Sequence, residues 1–158
     1  PKCALESIQC DLSEPIARQN LFYRACITAK QVLVITEGLL IYMTPAQVAV
    51  LARDLHAQLP VRWWLLDITS VRGLRQIQNI LAGSLARGEV KMQFAPEEGI
   101  EFFRQYGWRL AEFRSFFEEA QRLNRGALPE DILAQLSQEH WEILRMMSGF
   151  VLLTRAEL

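Results

Sequence analysis

Residues 32–45 read Val32-Leu33-Val34-Ile35-Thr36-Glu37-Gly38-Leu39-Leu40-Ile41-Tyr42-Met43-Thr44-Pro45. A run of β-branched residues and leucines without helical periodicity predicts a strand buried on both faces, as in the middle of a parallel sheet. The strand stops at a carboxylate and a glycine, Glu37-Gly38. Thr44-Pro45 then predicts a helix start, with threonine as N-cap and proline at the first helical position. In open α/β sheets the ligand crevice lies just outside the carboxyl ends of the strands, so a site is expected at this Glu-Gly pair. Gly38 there would let a ligand approach the backbone.

Downstream, Val48, Leu51, Ala52 and Leu55 form an apolar helical stripe that runs to about Leu59 and is closed by Pro60. Val61-Arg62-Trp63-Trp64-Leu65-Leu66-Asp67-Ile68 is a second strand, with an acid near its carboxyl end. This strand-helix-strand rhythm predicts parallel pairing with right-handed crossovers. Asp67 with Ser70 reads as the cap of a helix over Val71–Leu85, which Gly88 breaks. Val90–Pro96 reads as a short extended piece. Glu97–Tyr106 reads as a helix with acids in its first turn, stopped by Gly107 in the left-handed conformation. The alternation of Trp108–Arg114 predicts a half-exposed strand, followed by a short helix over Phe116–Asn124. A long helix is expected from Pro129 to about Met147, ended by Gly149, and then a last strand over Phe150–Arg155.

Upstream, Ala4–Cys10 carries a weaker strand pattern. Asp11-Leu12-Ser13-Glu14-Pro15 reads as a turn into a helix that runs to about Thr28, with Ser13 as its N-cap. The chain begins Pro1-Lys2-Cys3 without methionine, so a piece of a longer protein is expected.

The 158 residues suit one domain, and 51% hydrophobic content provides for a core. With a formal charge of −1 and no Lys/Arg cluster, nucleic acid is not an expected partner. No apolar run reaches membrane-spanning length, so a membrane is not expected either. Cys3, Cys10 and Cys26 match no zinc or redox spacing and read as small buried hydrophobes of a reduced, cytoplasmic chain. His56 and His140, among Arg, Gln and Glu on helices, read as surface residues. The aromatics from Phe102 to Phe117 read mostly as core.

Residues 32–45 resemble a motif of the leucine carboxyl methyltransferase-like family. There an apolar strand leads to Glu-Gly or Glu-Cys, then to Tyr-Leu/Met and Ser/Thr-Pro. Phe94-Ala95-Pro96-Glu97 and Gly107-Trp108 resemble two further family segments, and Phe150–Arg155 resembles its closing strand. The resemblance spans nearly the whole chain. It implies an α/β fold, the Rossmann-like class I methyltransferase sheet with strand order 3-2-1-4-5-7-6 and strand seven antiparallel. Residues 4–10, 32–37, 61–67, 108–114 and 150–155 would supply strands three, four, five, six and seven, and 1–158 the carboxyl-terminal portion of the domain. Strands one and two and the glycine-rich loop have no counterpart here.

The resemblance also implies S-adenosylmethionine (SAM) as cofactor and methyl transfer to a carboxylate or hydroxyl of a small molecule or protein. Asp11 and Leu12 would lie at its adenine, and Glu37 and Gly38 at its methionine end. Tyr42 would line an acceptor pocket, although packing on the next helix is the stronger reading of it. Asp11 reads as easily as a turn residue. A strand three standing beside absent strands would expose its backbone groups. Another segment is therefore expected to complete the sheet: a missing N-terminal half, another chain, or a rearranged pairing. Residues 4–10 isolated in solvent would overturn that expectation. The competing readings are a non-catalytic truncated α/β interaction module and an unrelated doubly wound binding domain.

Overall fold

Thr44 closes a full capping box: its side chain accepts from the Gln47 N–H while the Gln47 side chain accepts from the Thr44 N–H. The helix it starts contributes Val48, Leu51, Ala52 and Leu55 to the core. A computed structural model describes residues 3–85, 91–126 and 128–156 of the chain. The helices are α1 (Pro15–Cys26), α2 (Pro45–Ala57), α3 (Val71–Leu85), α4 (Phe116–Arg122), α5 (Glu130–Leu133) and α6 (Gln138–Arg145). The strands are β1 (Val32–Thr36), β2 (Val61–Thr69), β3 (Trp108–Ser115) and β4 (Ser148–Arg155). The predicted helix over 97–106 is a 3-10 helix, Gly99–Tyr106, ended by Gly107 at φ +86° as expected. The predicted break at Gly88 and the start of the extended piece at Val90 lie outside the described residues.

One sheet runs in the order β1-β2-β4-β3. β1 and β2 are parallel, and β4 is antiparallel to both β2 and β3. This is the four-five-seven-six order implied by the resemblance, with the seventh strand reversed.

The core lies on one side of the sheet. Trp64, Leu66, Val151 and Leu153 point to that side and join Val48, Leu51, Ala52 and Leu55 of α2 in a single buried cluster. The Trp64 ring stands edge-on to Phe103 and Trp108, with centroids 5.3 and 5.7 Å away. Both indole nitrogens of the cluster are satisfied: Trp64 Nε1 donates to Thr36 Oγ1 (2.9 Å), and Trp108 Nε1 to the Ala52 carbonyl (3.0 Å).

Several expectations are corrected. Residues 4–10 form no strand and are almost wholly exposed, so no strand three lies beside β1. Their alternation is carried by polar residues and has no described partner strand against which to pair. Residues 4–10 standing in solvent is the outcome set against the expectation that another segment completes the sheet, and among the described residues the sheet ends at β1. β1 is not buried on both faces: Leu33 and Ile35 are 49% and 59% exposed, on the side away from the core that α2 covers.

Ser13 does not cap α1. Its N–H donates to Asp11 Oδ1 (2.8 Å), and Glu14 occupies the cap position. The long helix from Pro129 is split in two, because Ser137 accepts from the His140 N–H and starts α6 afresh. Ile132, Leu136, Trp141, Leu144 and Met147 are consequently not fully buried. Gly149 belongs to β4, where a Cβ would strike the Arg114 carbonyl and the Phe113 ring. Of the cysteines only Cys26 is buried, and burial raises its thiol pKa.

His56 is half-buried rather than a solvated surface residue. Its ring packs edge-on to Trp108 (centroids 5.6 Å apart), sits where a Cβ on Gly107 would fall, and has a buried Nε2 without a partner. Burial and the nearby Arg155 guanidinium hold its pKa below the usual 6.5. The unfolded chain takes up a proton near pH ~6.5 while the folded imidazole stays neutral, so stability should fall as the pH drops through that value toward the lower folded pKa. Urea midpoints measured from pH 8 to about 5 should decline, and His56→Gln should flatten part of that decline. Equal slopes in both proteins would assign the pH dependence elsewhere.

Candidate functional site

Thr36, Glu37 and Gly38 end β1, and the residues beneath them are fixed. Thr36 is buried, and the Trp64 indole holds its hydroxyl. The chain then turns at Gly38, whose φ of +60° is costly for any residue with a Cβ. The Gly38 N–H donates to Asp67 Oδ1 at 2.7 Å. Asp67, near the carboxyl end of β2, thus ties the two strand ends together. The helix cap expected of it is supplied by Ser70 alone, whose Oγ accepts from the Gly73 N–H (3.1 Å).

This clamp has two chemical consequences. Glu37 is held at the crest with its carboxylate exposed. The Gly38 amide is committed to Asp67, but no atom lies within 4 Å of the place a Cβ would occupy, so the Cα side of the turn is open. Asp67→Ala should release the turn at a cost of about 1–2 kcal/mol, the range for a lost charge-assisted hydrogen bond on a part-exposed group. Denaturant unfolding, together with faster exchange of the Gly38 amide, reads this out. An unchanged Gly38 exchange rate would show that the turn holds without Asp67.

Below the crest lies a cavity of about 570 Å³ over the uncovered side of the sheet. Its floor is apolar, with Leu33, Ile35, Leu65, Phe150 and Leu152, and Glu37 is on its rim. Glu112 and Arg114, paired at 2.7 Å, line its far side. A second cavity, of about 690 Å³, lies where α3 begins, against Pro96–Glu101 and Phe113. Neither cavity takes in Asp11, Leu12 or Tyr42.

Asp11 forms a turn around its own side chain, and its carboxyl pKa is lowered by hydrogen bonds from Ser13. Leu12 packs against the core. Arg18, which nothing in the residue pattern singles out, is buried and organises this turn. It donates to the Leu12 carbonyl (2.6 Å) and pairs with Asp54 of α2 (2.7 Å). An arginine on a helix reads as surface, and its partner lies 36 residues away. Tyr42 sits in a short 3-10 turn, Leu40–Tyr42, with its side chain 40% exposed. Its carbonyl accepts from the Gln93 side chain (3.1 Å). His140 is exposed, with Nδ1 2.8 Å from Ser137 Oγ.

No protein-family model matches the chain, and no curated protein does. Among solved structures it is similar to a DUF574-family protein from Streptomyces avermitilis, with a TM-score of 0.59 and 13% identity over 94% of this chain and 54% of that one. It is also similar to magnesium protoporphyrin IX methyltransferase from Synechocystis with bound SAH (TM-score 0.48, 15% identity, 94% and 50% covered). A third is an S-adenosylmethionine-dependent methyltransferase from Mesorhizobium loti (TM-score 0.49, 16% identity, 81% and 63% covered). The chain spans between half and under two thirds of the length of these proteins. At such identities the likeness is one of fold, a Rossmann-like α/β sheet.

Proposed function

We propose that this chain is the carboxyl-terminal portion of a SAM-dependent O-methyltransferase of the leucine carboxyl methyltransferase-like kind, acting on a carboxylate or hydroxyl. The observation that carries the reading is the Glu37-Gly38 turn: an exposed carboxylate and an open glycine, clamped by Asp67 at the carboxyl edge of a sheet in four-five-seven-six order. Fold alone would not give function, so the weight rests on that turn and on the motif of residues 32–45.

The residues present fit the donor. The exposed Glu37 carboxylate suits an ammonium group, and the space beside Gly38 admits a ligand against the backbone. Bound there, the donor supplies a methyl group already activated on a sulfonium. The protein's part is then to hold, orient and exclude water. Glu37 would fix the methionine end, while Asp11 and Leu12, in the turn held by Arg18, would take the adenine end. Tyr42 would face the acceptor. A carboxylate acceptor is ionised at neutral pH and needs no general base, which accords with a crest that offers positioning groups.

Calorimetric titration with SAM tests this. The 158-residue chain should bind weakly or not at all, because the glycine-rich loop of the fold has no counterpart in it. A longer polypeptide that carries that loop should bind, and Glu37→Gln in it should weaken binding about 10- to 100-fold, the equivalent of one charge-assisted hydrogen bond. Failure of the longer polypeptide to bind SAM would remove the proposal. That failure would favour the second reading, a non-catalytic α/β interaction module, which the uncovered sheet face supports.

A further inference from the structure

The second cavity, of about 690 Å³, has a wall that a regular strand would not build. Leu110 and Phe113 stand three residues apart in β3, and in an unbroken strand they would point to opposite faces. The register slips between Leu110 and Glu112, so that Leu110 pairs with Leu153 and Phe113 with Val151. Leu153 and Val151 both belong to the core side of the sheet. The bulge therefore turns Leu110 and Phe113 onto that same side, where they line the cavity with Ile68, Ile100 and Met146. Leu110 stays 47% exposed there, which leaves apolar surface open to a ligand.

Both walls of the cavity are anchored at the crest. Ile68, Thr69 and Ser70 follow directly on Asp67, which clamps Gly38. The Ser70 N–H donates to the Met147 carbonyl (2.8 Å), and α3 comes so close at Gly73 that a Cβ there would strike Thr69 Oγ1 and the same carbonyl. The facing wall, Pro96–Glu101, is tied to the Leu40–Tyr42 turn. The Gln93 and Phe94 N–H groups both donate to the Ile41 carbonyl (2.7 and 3.1 Å), and the Gln93 side chain donates to the Tyr42 carbonyl. The rim is acidic: Glu97, Glu98 and Glu101 line it against one guanidinium, Arg72. Glu101 is paired with Arg104, whereas Glu97, Glu98 and Arg72 have no ion-pair partner among the described residues. Excess negative charge at the mouth of an apolar cavity attracts cations and repels anions.

We propose that this cavity binds a small molecule with an apolar body and a protonated amine. The body lies against Ile100, Leu110, Phe113 and Met146, and the amine sits at Glu97 and Glu98. The volume falls in the range of small-molecule sites, about 300–1,000 Å³. That the molecule is the methyl acceptor rests on the proposed function; that it binds here does not.

Probes of one shape and different charge test it: phenylpropylamine, phenylpropanol and phenylpropionate, titrated without SAM into the 158-residue chain and followed by methyl NMR. The amine should bind in the millimolar range usual for fragments of about ten non-hydrogen atoms, and should shift the Ile68, Ile100, Leu110 and Met146 methyl signals. At about 20 mM salt it should bind roughly 10-fold more tightly than the propionate, with the alcohol between them, and the ratio should shrink at about 0.5 M salt. Changing the exposed pair together, Glu97→Gln with Glu98→Gln, should remove the advantage of the amine and leave the alcohol unaffected. Leu110→Ser should weaken all three probes, and Ile35→Ser, in the first cavity, should weaken none. Tighter binding of the propionate, equal binding of all three, shifts confined to Leu33, Ile35 and Leu65, or no binding at all would each overturn the proposal. Amine binding here, with no SAM binding by the longer polypeptide, would uphold the site and remove its role as an acceptor site. SAM binding with no probe bound would overturn the site and leave the methyltransferase reading intact.

Discussion

Replacing Trp64 with alanine is expected to destabilise the fold by about 3–5 kcal/mol, the usual cost of emptying the site of a fully buried tryptophan. Trp64 is fully buried, lies in the middle of β2 and holds the Phe103 and Trp108 rings. Its loss also leaves the buried Thr36 hydroxyl without the indole donor, which removes the pin directly below the Glu37 turn. At about 2–4 °C per kcal/mol for a chain of this size, calorimetry should show a melting temperature lower by roughly 10 °C. Trp64→Phe keeps most of the ring and should fall between wild type and alanine. A change in Trp64→Ala within the range of ordinary surface substitutions, about 0.5 kcal/mol, would mean that this cluster does not organise the core.

Arg18→Ala is the second large effect expected, about 3 kcal/mol. Removing one partner of a buried ion pair typically costs about 3–5 kcal/mol because the other is left charged and unpaired. Asp54 retains 21% exposure and regains some water, which places the cost at the low end. The Leu12 carbonyl also loses its donor, so the Asp11-Leu12 turn should loosen and the Ser13 amide should exchange faster. Replacing both members, Arg18→Met with Asp54→Leu, should cost less than the sum of the two single changes, since no buried charge is stranded. Denaturant unfolding of the four proteins closes the cycle. Strict additivity would show that the pair contributes nothing as a pair.

Both sites bear on the proposed activity, because Trp64 supports the Glu37 turn and Arg18 holds the Asp11-Leu12 turn. They differ in how far they could be read beforehand. Trp64 sits in a run whose composition announces a buried strand. Arg18 carries no such mark, and its role comes from a carboxylate on another helix. The same contrast separates Glu37 from Asp67. Glu37 ends an apolar strand and draws attention at once, whereas Asp67 next to Ser70 resembles an ordinary helix cap until the Gly38 amide is found on its carboxylate.

The sequence by itself determined the positions of β1, β2, β3 and β4, the N-cap at Thr44, the left-handed stop at Gly107 and, through the resemblance, the order in which the strands lie. These are local properties: periodicity, turn chemistry and cap residues act over a few neighbours. Tertiary structure alone decided the Asp67–Gly38 clamp, the Arg18–Asp54 pair, the packing of His56 on Trp108 and, among the described residues, the lack of a strand beyond β1. Each depends on what lies opposite in space, across 29 residues for the clamp and 36 for the ion pair. An apolar strand states that its side chains suit burial on both faces, and only packing decides whether anything covers them.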